Sequence, residues 1–127
     1  MSALVVDSSS WISYFRGTGA PEIIEDALAL DAVFLPPVVA AELASGRLSR
    51  RQRAELRDFL IDLPACETSL EHWLCVGELR SRLARAGVRI STPDAHVAQC
   101  ALDLRARLLT EDAIFRKIAA HTALTLA

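Results

Sequence analysis

Residues 5–15, VVDSSSWISYF, carry the pattern that decides the fold of this chain. The apolar run at residues 3–6, ALVV, has the composition of a short buried strand, and Asp7 ends it. Ser8 to Ser10 then offer hydroxyl groups that can cap a helix over WISYF. A strand that passes through an acid into a helix is typical of an α/β protein, in which ligands bind beyond the carboxyl ends of the strands.

After this segment, short apolar runs alternate with helical patterns. The predicted strands are 3–6, 33–35, 107–110 and 123–126, with a further possible short strand at 65–67. The predicted helices are 11–15, 21–28, 38–44, 49–63, 69–86, 92–102 and 112–120. This alternation predicts an α/β fold, a three-layer α/β/α sandwich with a central, mainly parallel sheet. No repeat, low-complexity segment or linker divides residues 1–127, so we expect a single domain.

Length and composition bound the classes of protein to which the chain can belong. With 127 residues it can bury roughly two thirds of its unfolded surface as one domain. Apolar residues make up 52% of the chain, which argues against disorder. No leader pattern opens the sequence, and no segment reaches ~18 uninterrupted apolar residues. We therefore expect a soluble, cytoplasmic protein that does not enter a membrane.

The cysteines and histidines do not indicate a site of their own. Cys66, Cys75 and Cys100 lack C-x-x-C spacing, which favours reduced, buried thiols over a zinc site or disulfides. His96 is expected to have a structural role, and His72 has no supporting context.

Charge leaves open whether the chain binds nucleic acid. The formal net charge is −2, whereas nucleic-acid binders usually carry a basic excess. Without the acids Asp7, Glu42, Asp94 and Asp112, the rest of the chain would carry +2. Two arginine-rich stretches, in residues 47–57 and 80–89, are either solvated helix faces or a track for an RNA backbone.

Those four acids lie where apolar patterns run out, far apart in the chain. Their contexts are VVDSSSWISYF (5–15), PPVVAAELASG (36–46), TPDAHVAQCAL (92–102) and LLTEDAIFRKIA (108–119). Asp7 ends the first strand, and Asp112 follows the strand at 107–110 by two residues. Because ligands bind at the carboxyl edge of open α/β sheets, we expect the four side chains to converge there.

Convergence of these carboxylates predicts a metal site. Two carboxylates ~4 Å apart repel by about 4 kcal/mol at an effective dielectric constant near ~20, and each raises the pKa of the other unless a cation is present. Oxygen ligands select Mg²⁺, or Mn²⁺, over zinc. The expected chemistry is phosphodiester cleavage, with a carboxylate that orients a water or takes its proton. No G-x-S-x-G motif or glycine-rich phosphate loop offers another mechanism.

Each acid also has a structural interpretation when taken alone. Asp7 and Asp112 could each cap a helix, and Asp94 could interact with the dipole of the helix that it opens. Glu42 could be solvated, although its neighbours are apolar and one face of its helix must be buried. The four acids in combination favour the functional interpretation.

The four acid-bearing segments resemble those of a PIN domain, and most closely the toxin ribonucleases of the VapC type. The resemblance covers essentially all 127 residues. It implies a metal-dependent endoribonuclease that is the toxin of a toxin–antitoxin pair. It further implies RNA as substrate, Mg²⁺ (or Mn²⁺) as cofactor, a cognate antitoxin protein as partner, and a homodimer.

The resemblance also assigns a role to each acid, and all four are candidate catalytic residues. Asp7 and Asp94 match the positions expected to bind the metal most directly. Glu42 and Asp112 match the acids that complete the metal environment or position water.

Two details of the resemblance concern the surroundings of the acids. Ser8 and Thr110 match small hydroxyl positions beside the site. The closing segment at residues 112–115, DAIF, lacks a second acid that many relatives carry, so the number of metals, one or two, stays open.

Two other functions stay open on the sequence. A catalytically silent PIN-fold module for regulation or partner binding is one, although four intact acids argue against it. A signalling receiver domain is the other, but its chemistry needs a lysine after a late strand, and Lys117 lies inside the last helix.

Overall fold

The computed structural model describes residues 2–127. The strands are β1 (Leu4–Val6), β2 (Val33–Phe34), β3 (Arg107–Leu109) and β4 (Thr125–Leu126). The helices are α1 (Ser8–Phe15), α2 (Pro21–Ala29), α3 (Pro37–Ala44), α4 (Arg50–Ile61), α5 (Leu70–Arg85), α6 (Thr92–Leu104) and α7 (Ile114–His121). The predicted order of elements is confirmed, while the possible strand at 65–67 reduces to a bridge between Leu35 and Ala65. Within the described range, no helix has the length and apolarity needed to cross a bilayer.

The four strands form one parallel sheet in the order β2-β1-β3-β4. Leu4 of β1 pairs with Val33 on one side and with Arg107 on the other. The chain therefore leaves β1 for one edge of the sheet and later returns on its other side, so the strand order reverses between β1 and β3. The ends of these two strands are joined directly, because the Asp7 amide donates to the Leu109 carbonyl at 2.9 Å.

Helices cover both faces of this sheet. Leu4, Val5 and Val6 are all fully buried, and neighbouring strand residues point to opposite faces, so both faces must be packed. Helix α2 contacts β1 and β2, and α6 contacts β1 and β3. The predicted α/β sandwich with a parallel central sheet is confirmed.

Serine caps fix where three of the helices begin. Ser49 and Gln52 form a reciprocal capping box at the start of α4, with hydrogen bonds of 2.9 and 3.1 Å. Ser69 caps α5 and Ser91 caps α6. The Ser91 cap positions the first turn of α6, and that turn carries Asp94.

Candidate active site

Asp7 lies at the carboxyl end of β1, where the strand order reverses, and is only 6% exposed. It occupies the N-cap position of α1, but its side chain makes no capping hydrogen bond, so the capping interpretation is wrong. Instead, Ser9 Oγ and Thr110 Oγ1 donate to Asp7 Oδ2 at 3.1 and 3.0 Å. Asp7 Oδ1 receives no hydrogen bond from residues 2–127, which leaves that oxygen available to a ligand.

The same two hydroxyls tie the loop after β3 to Asp7. Thr110 Oγ1 accepts from the Asp112 amide at 3.0 Å, and Ser9 Oγ accepts from the Glu111 amide at 3.0 Å. Each hydroxyl thus donates its proton to the carboxylate and accepts from a backbone amide. This arrangement fixes the orientation of the carboxylate before any ligand binds.

Thr110 lies beside the acid as predicted. Of the serines that follow Asp7, it is Ser9 and not Ser8 that donates to the Asp7 carboxylate and accepts from the Glu111 amide. Helix α1 turns by about 100° per residue, so adjacent serines in its first turn cannot both face the end of β3.

Asp112 combines a structural contact with an electrostatic one. Its Oδ1 accepts from the amide of Ile114, the first residue of α7, at 3.1 Å, although the N-cap position of that helix is held by Ala113. Its charge also reaches the site, because the Asp112 carboxylate raises the pKa of Asp94. Asp112 therefore lies at the exposed rim of the acid group.

Helix α6 presents Asp94 from its first turn, where the Asp94 amide donates to Ser91 Oγ at 3.2 Å. Asp94 is half-buried. Burial is the main cause that raises the pKa of Asp94 above its ordinary value. The hydrogen bond with Ser91 opposes this shift, and the charges of Asp112 and Asp7 add to it.

Helix α3 brings Glu42 to the same edge of the sheet. Partial burial raises the pKa of the Glu42 carboxyl, and the charges of Asp7 and Asp94 raise it further. Each of the four acids is thus within electrostatic reach of at least one other. Within residues 2–127, however, no three of them form a group as close as His72, His96 and Cys100, whose ligand atoms lie within 4.8 Å of one another.

No basic side chain neutralises the acids in the described structure. The ion pairs of residues 2–127 are Arg51–Glu55 at 3.0 Å and His72–Asp103 at 3.4 Å, and neither involves the four acids. Oxygen ligands that carry unneutralised negative charge fit a hard divalent ion such as Mg²⁺, which keeps several waters and needs few direct carboxylates. Asp7, through its unbonded Oδ1, and Asp94 are suited to hold such an ion.

A groove of about 850 Å³ opens beside Glu42, between α1, α3 and α4. Apolar side chains form most of its lining: Ile12, Tyr14, Phe15, Leu43, Leu48, Leu56 and Phe59. Ile12 and Phe15 are 41% and 47% exposed. Glu42, Arg16 and Arg47 give the groove charged borders. An apolar floor with charged borders suits an amphipathic polypeptide segment.

The arginine-rich stretch at residues 47–57 has a partly structural role. Arg53 donates to the Ala44 carbonyl at 2.6 Å and to the Gly46 carbonyl at 3.4 Å. These bonds satisfy carbonyls at the end of α3, the helix that carries Glu42. Arg47 lines the groove, so it is the better candidate for contact with a nucleic acid or a partner.

Sequence reasoning missed a second group of side chains, between α5 and α6. His72 Nε2 lies 2.7 Å from His96 Nδ1, and Cys100 Sγ lies 3.9 Å from the same nitrogen. Burial, together with His72, lowers the pKa of His96 to about 4, so this ring is neutral near pH ~7 and is not a general acid there. His96 and Cys100 are one helical turn apart, which is the signal that the sequence offered.

Comparison with known families agrees with this architecture. The PIN domain family profile matches residues 4–121. The chain therefore belongs to the PIN domain family. No curated protein sequence matches the chain at a significant level.

Solved structures of similar fold come from bacterial toxin–antitoxin complexes. A chain of DNA-bound VapBC from Salmonella typhimurium superimposes with a TM-score of 0.80 at 20% identity, covering 100% of this chain and 98% of that one. DNA-bound VapBC2 from Rickettsia felis gives 0.76 at 20% identity, with 98% and 97% covered. VapBC-1 from nontypeable Haemophilus influenzae gives 0.74 at 22% identity, with 98% and 96% covered. At these identities the likeness establishes the fold.

Proposed function

We propose that this PIN domain is a cytoplasmic, Mg²⁺- or Mn²⁺-dependent endoribonuclease that acts as the toxin of a toxin–antitoxin pair. One observation carries the proposal: the buried Asp7 carboxylate is held by two neutral hydroxyls and lies in the charge field of Glu42 and Asp94. Such an arrangement is costly unless a cation binds. Membership of a family whose members are generally nucleases supports the same reaction.

Each acid then has a role in the cleavage of an RNA phosphodiester. Asp7 and Asp94 would hold the metal ion, which would neutralise charge at the phosphate and lower the pKa of a bound water. Glu42, whose pKa is raised by partial burial and by the charges of Asp7 and Asp94, would orient the attacking water or accept its proton. Asp112 adds negative charge at the rim and anchors the loop after β3 through the Ile114 amide.

The test is RNA cleavage by wild type and by Asp7→Asn with Mg²⁺ or Mn²⁺ present. Asparagine keeps the shape of the side chain and its acceptor oxygen but removes the charge, so cleavage should be lost while the fold is kept. Asp26→Asn, at an exposed acid of α2, is the matched control and should cleave normally. Undiminished cleavage by Asp7→Asn would reject the catalytic assignment. No cleavage by wild type with either metal would favour the silent-module alternative.

Toxicity is tested in cells. Expression of wild type should arrest growth and leave new RNA ends, whereas Asp7→Asn should do neither. Growth arrest by both proteins would mean that the chain acts without its nuclease site.

The groove between α1, α3 and α4 is the proposed binding site for the antitoxin. Its apolar floor and charged borders suit an amphipathic segment, and two solved structures of similar fold are described as belonging to toxin–antitoxin systems. Phe15→Glu, in the groove, should abolish co-purification with the candidate antitoxin. Leu30→Glu, at an exposed leucine outside the groove, should not. If both variants lost co-purification to the same extent, the antitoxin would bind outside this groove.

A homodimer is the remaining part of the proposal. Leu70 and Leu74 lie one turn apart on α5 and are 75% and 54% exposed, which offers an apolar patch to a second copy. Light scattering on the isolated chain should give the mass of a dimer, and Leu74→Glu should shift it towards the monomer. A monomeric wild type would remove this part of the proposal.

A further inference from the structure

We propose that His72, His96 and Cys100 form a second metal site, for a borderline-soft ion such as Zn²⁺, in the buried interface between α5 and α6. This inference goes beyond the nuclease site, because nitrogen and sulfur ligands select other ions than carboxylates do. All three side chains are buried, at 5%, 0% and 1% exposure. Their ligand atoms lie within 4.8 Å of one another.

The distances lie close to those of a tetrahedral zinc site. Ideal bond lengths imply about 3.3 Å between two ligand nitrogens and about 3.6 Å between nitrogen and sulfur. The observed separations are 2.7 Å for His72 Nε2 to His96 Nδ1 and 3.9 Å for His96 Nδ1 to Cys100 Sγ. Small rotations of the side chains would therefore admit an ion.

The surroundings of His72 match those of a metal-binding histidine. Its Nδ1 lies 3.4 Å from Asp103 Oδ2, and Asp103 Oδ1 accepts from Gln99 Nε2 at 2.8 Å. Histidine ligands in proteins commonly donate their second ring N–H to a carboxylate that is itself hydrogen-bonded. With Nδ1–H directed at Asp103, the lone pair of Nε2 points to His96 and Cys100.

Three protein ligands are enough for such an ion, because zinc can take a water in its fourth position. Cys66 is buried, but it lies outside the group whose ligand atoms are within 4.8 Å of one another. Cys66, together with burial, raises the pKa of the Cys100 thiol.

The site can exist without metal, because each of its N–H and S–H groups has a hydrogen-bond acceptor. His72 donates to Asp103, His96 Nδ1–H donates to His72 Nε2, and the Cys100 thiol can donate to His96 Nε2 at 3.8 Å. Metal binding moves the His96 proton from Nδ1 to Nε2, and the thiol proton of Cys100 leaves to solvent. The ion would thus lock α5 to α6 without being required for the fold.

Cobalt is the direct probe of this site. The chelator-stripped chain is titrated with Co²⁺ while excess Mg²⁺ occupies the acid group, and a thiolate-to-cobalt absorption band is followed. We expect the intensity of the band to saturate at about one equivalent of Co²⁺. Added Zn²⁺ should displace the cobalt and abolish the band. Oxygen ligands cannot produce this band, so Asp7→Asn should retain it even if the proposed nuclease activity fails.

Matched cysteine variants decide the assignment. Cys100→Ser should abolish the band, whereas Cys75→Ser, at a free cysteine of α5 outside the group, should keep it. Absence of the band in wild type, its survival in Cys100→Ser, or its loss in Cys75→Ser would overturn the proposal. If Cys100→Ser does not fold, X-ray absorption of zinc-loaded wild type decides. Sulfur at about 2.3 Å supports the site, and a shell of only nitrogen and oxygen overturns it.

Discussion

The two sides of α6 differ sharply in the chemistry that they carry. Asp94 faces a group of oxygen ligands at the sheet edge, while His96 faces a buried nitrogen and sulfur group against α5. Asp94 and His96 are two positions apart, so their side chains leave the helix in directions that differ by roughly 200° about its axis. The acid group carries charge without a basic partner in the described structure, whereas the histidine group is internally hydrogen-bonded and its His96 ring is neutral. Helix α6 can thus carry a residue of the proposed catalytic site on one side and a ligand of the proposed structural metal ion on the other.

The largest expected effect separates two acids of the same helix. Asp94→Asn should lower RNA cleavage by about 100-fold or more, because it removes a proposed metal ligand. Asp103→Asn should leave cleavage unchanged and weaken Co²⁺ binding at His72 by about 10- to 100-fold. Cleavage rates and cobalt titrations on both variants measure whether each substitution affects only its own site. If the two variants changed cleavage and Co²⁺ binding to the same extent, this expectation would be contradicted.

The second effect concerns stability. Mg²⁺ or Mn²⁺ at ~100 times its dissociation constant should stabilise wild type by about 2.7 kcal/mol. Asp7→Asn should abolish this gain, because it removes a proposed metal ligand together with its share of the repulsion that the ion relieves. Denaturant unfolding with and without metal provides the measurement. A full metal-dependent gain in the variant would show that the ion binds elsewhere.

The third effect tests whether hydroxyls position Asp7. Thr110→Val and Ser9→Ala remove the donors to Asp7 Oδ2 and should each lower metal affinity or cleavage by about 10- to 100-fold. Ser8→Ala is the matched control, since Ser9 and not Ser8 donates to Asp7 Oδ2. Metal titration and cleavage on the three variants check the difference. A loss in Ser8→Ala as large as in Ser9→Ala would count against positioning.

The smallest effect is a pH dependence. The pKa of Glu42 is raised in the folded chain, so the folded state binds this proton more tightly than the unfolded state. The contribution of Glu42 to stability is therefore largest below its ordinary pKa of 4.5 and declines as pH rises through the folded value. Without metal, Glu42→Gln should be more stable than wild type at neutral pH, by less than about 1 kcal/mol because the group is exposed.

Thermal unfolding in chelator at two pH values tests this sign. The gain of Glu42→Gln should be present near pH ~7 and absent below the ordinary pKa of the carboxyl. Glu25→Gln, at an exposed residue of α2, should show no such pH-dependent gain. A Glu42→Gln variant that is less stable at neutral pH would show that the charge of Glu42 is favourable.

The sequence allowed the element order to be predicted because local signals agreed. Serine caps, Gly87 after α5 and short apolar strands each depend on nearby residues. Strand order could not be read in this way, since pairing between β1 and β3 joins residues about a hundred positions apart. The placement of Asp7 at the reversal point was therefore visible only in the folded chain.

The two candidate sites differ in the same way, because one follows from local sequence signals and the other from a contact between distant residues. The acids end strands or open helices, so the general rule for parallel sheets led to them. The histidine group depends on how α5 packs against α6, and a sequence separation of 24 positions between His72 and His96 hides that contact. Ser9 was missed for a finer reason, because the direction of a side chain in the first turn of α1 depends on where that helix begins.

The two hydroxyls that hold Asp7 have a consequence for how such a protein can change in evolution. Neutral donors fix the carboxylate but leave its charge uncancelled. A lysine in place of Ser9 would supply an internal counter-ion and relieve the repulsion from Glu42 and Asp94. A single exchange would then stabilise the protein without the proposed metal ion, and would offer a short route from the proposed nuclease to a binding domain of the same fold.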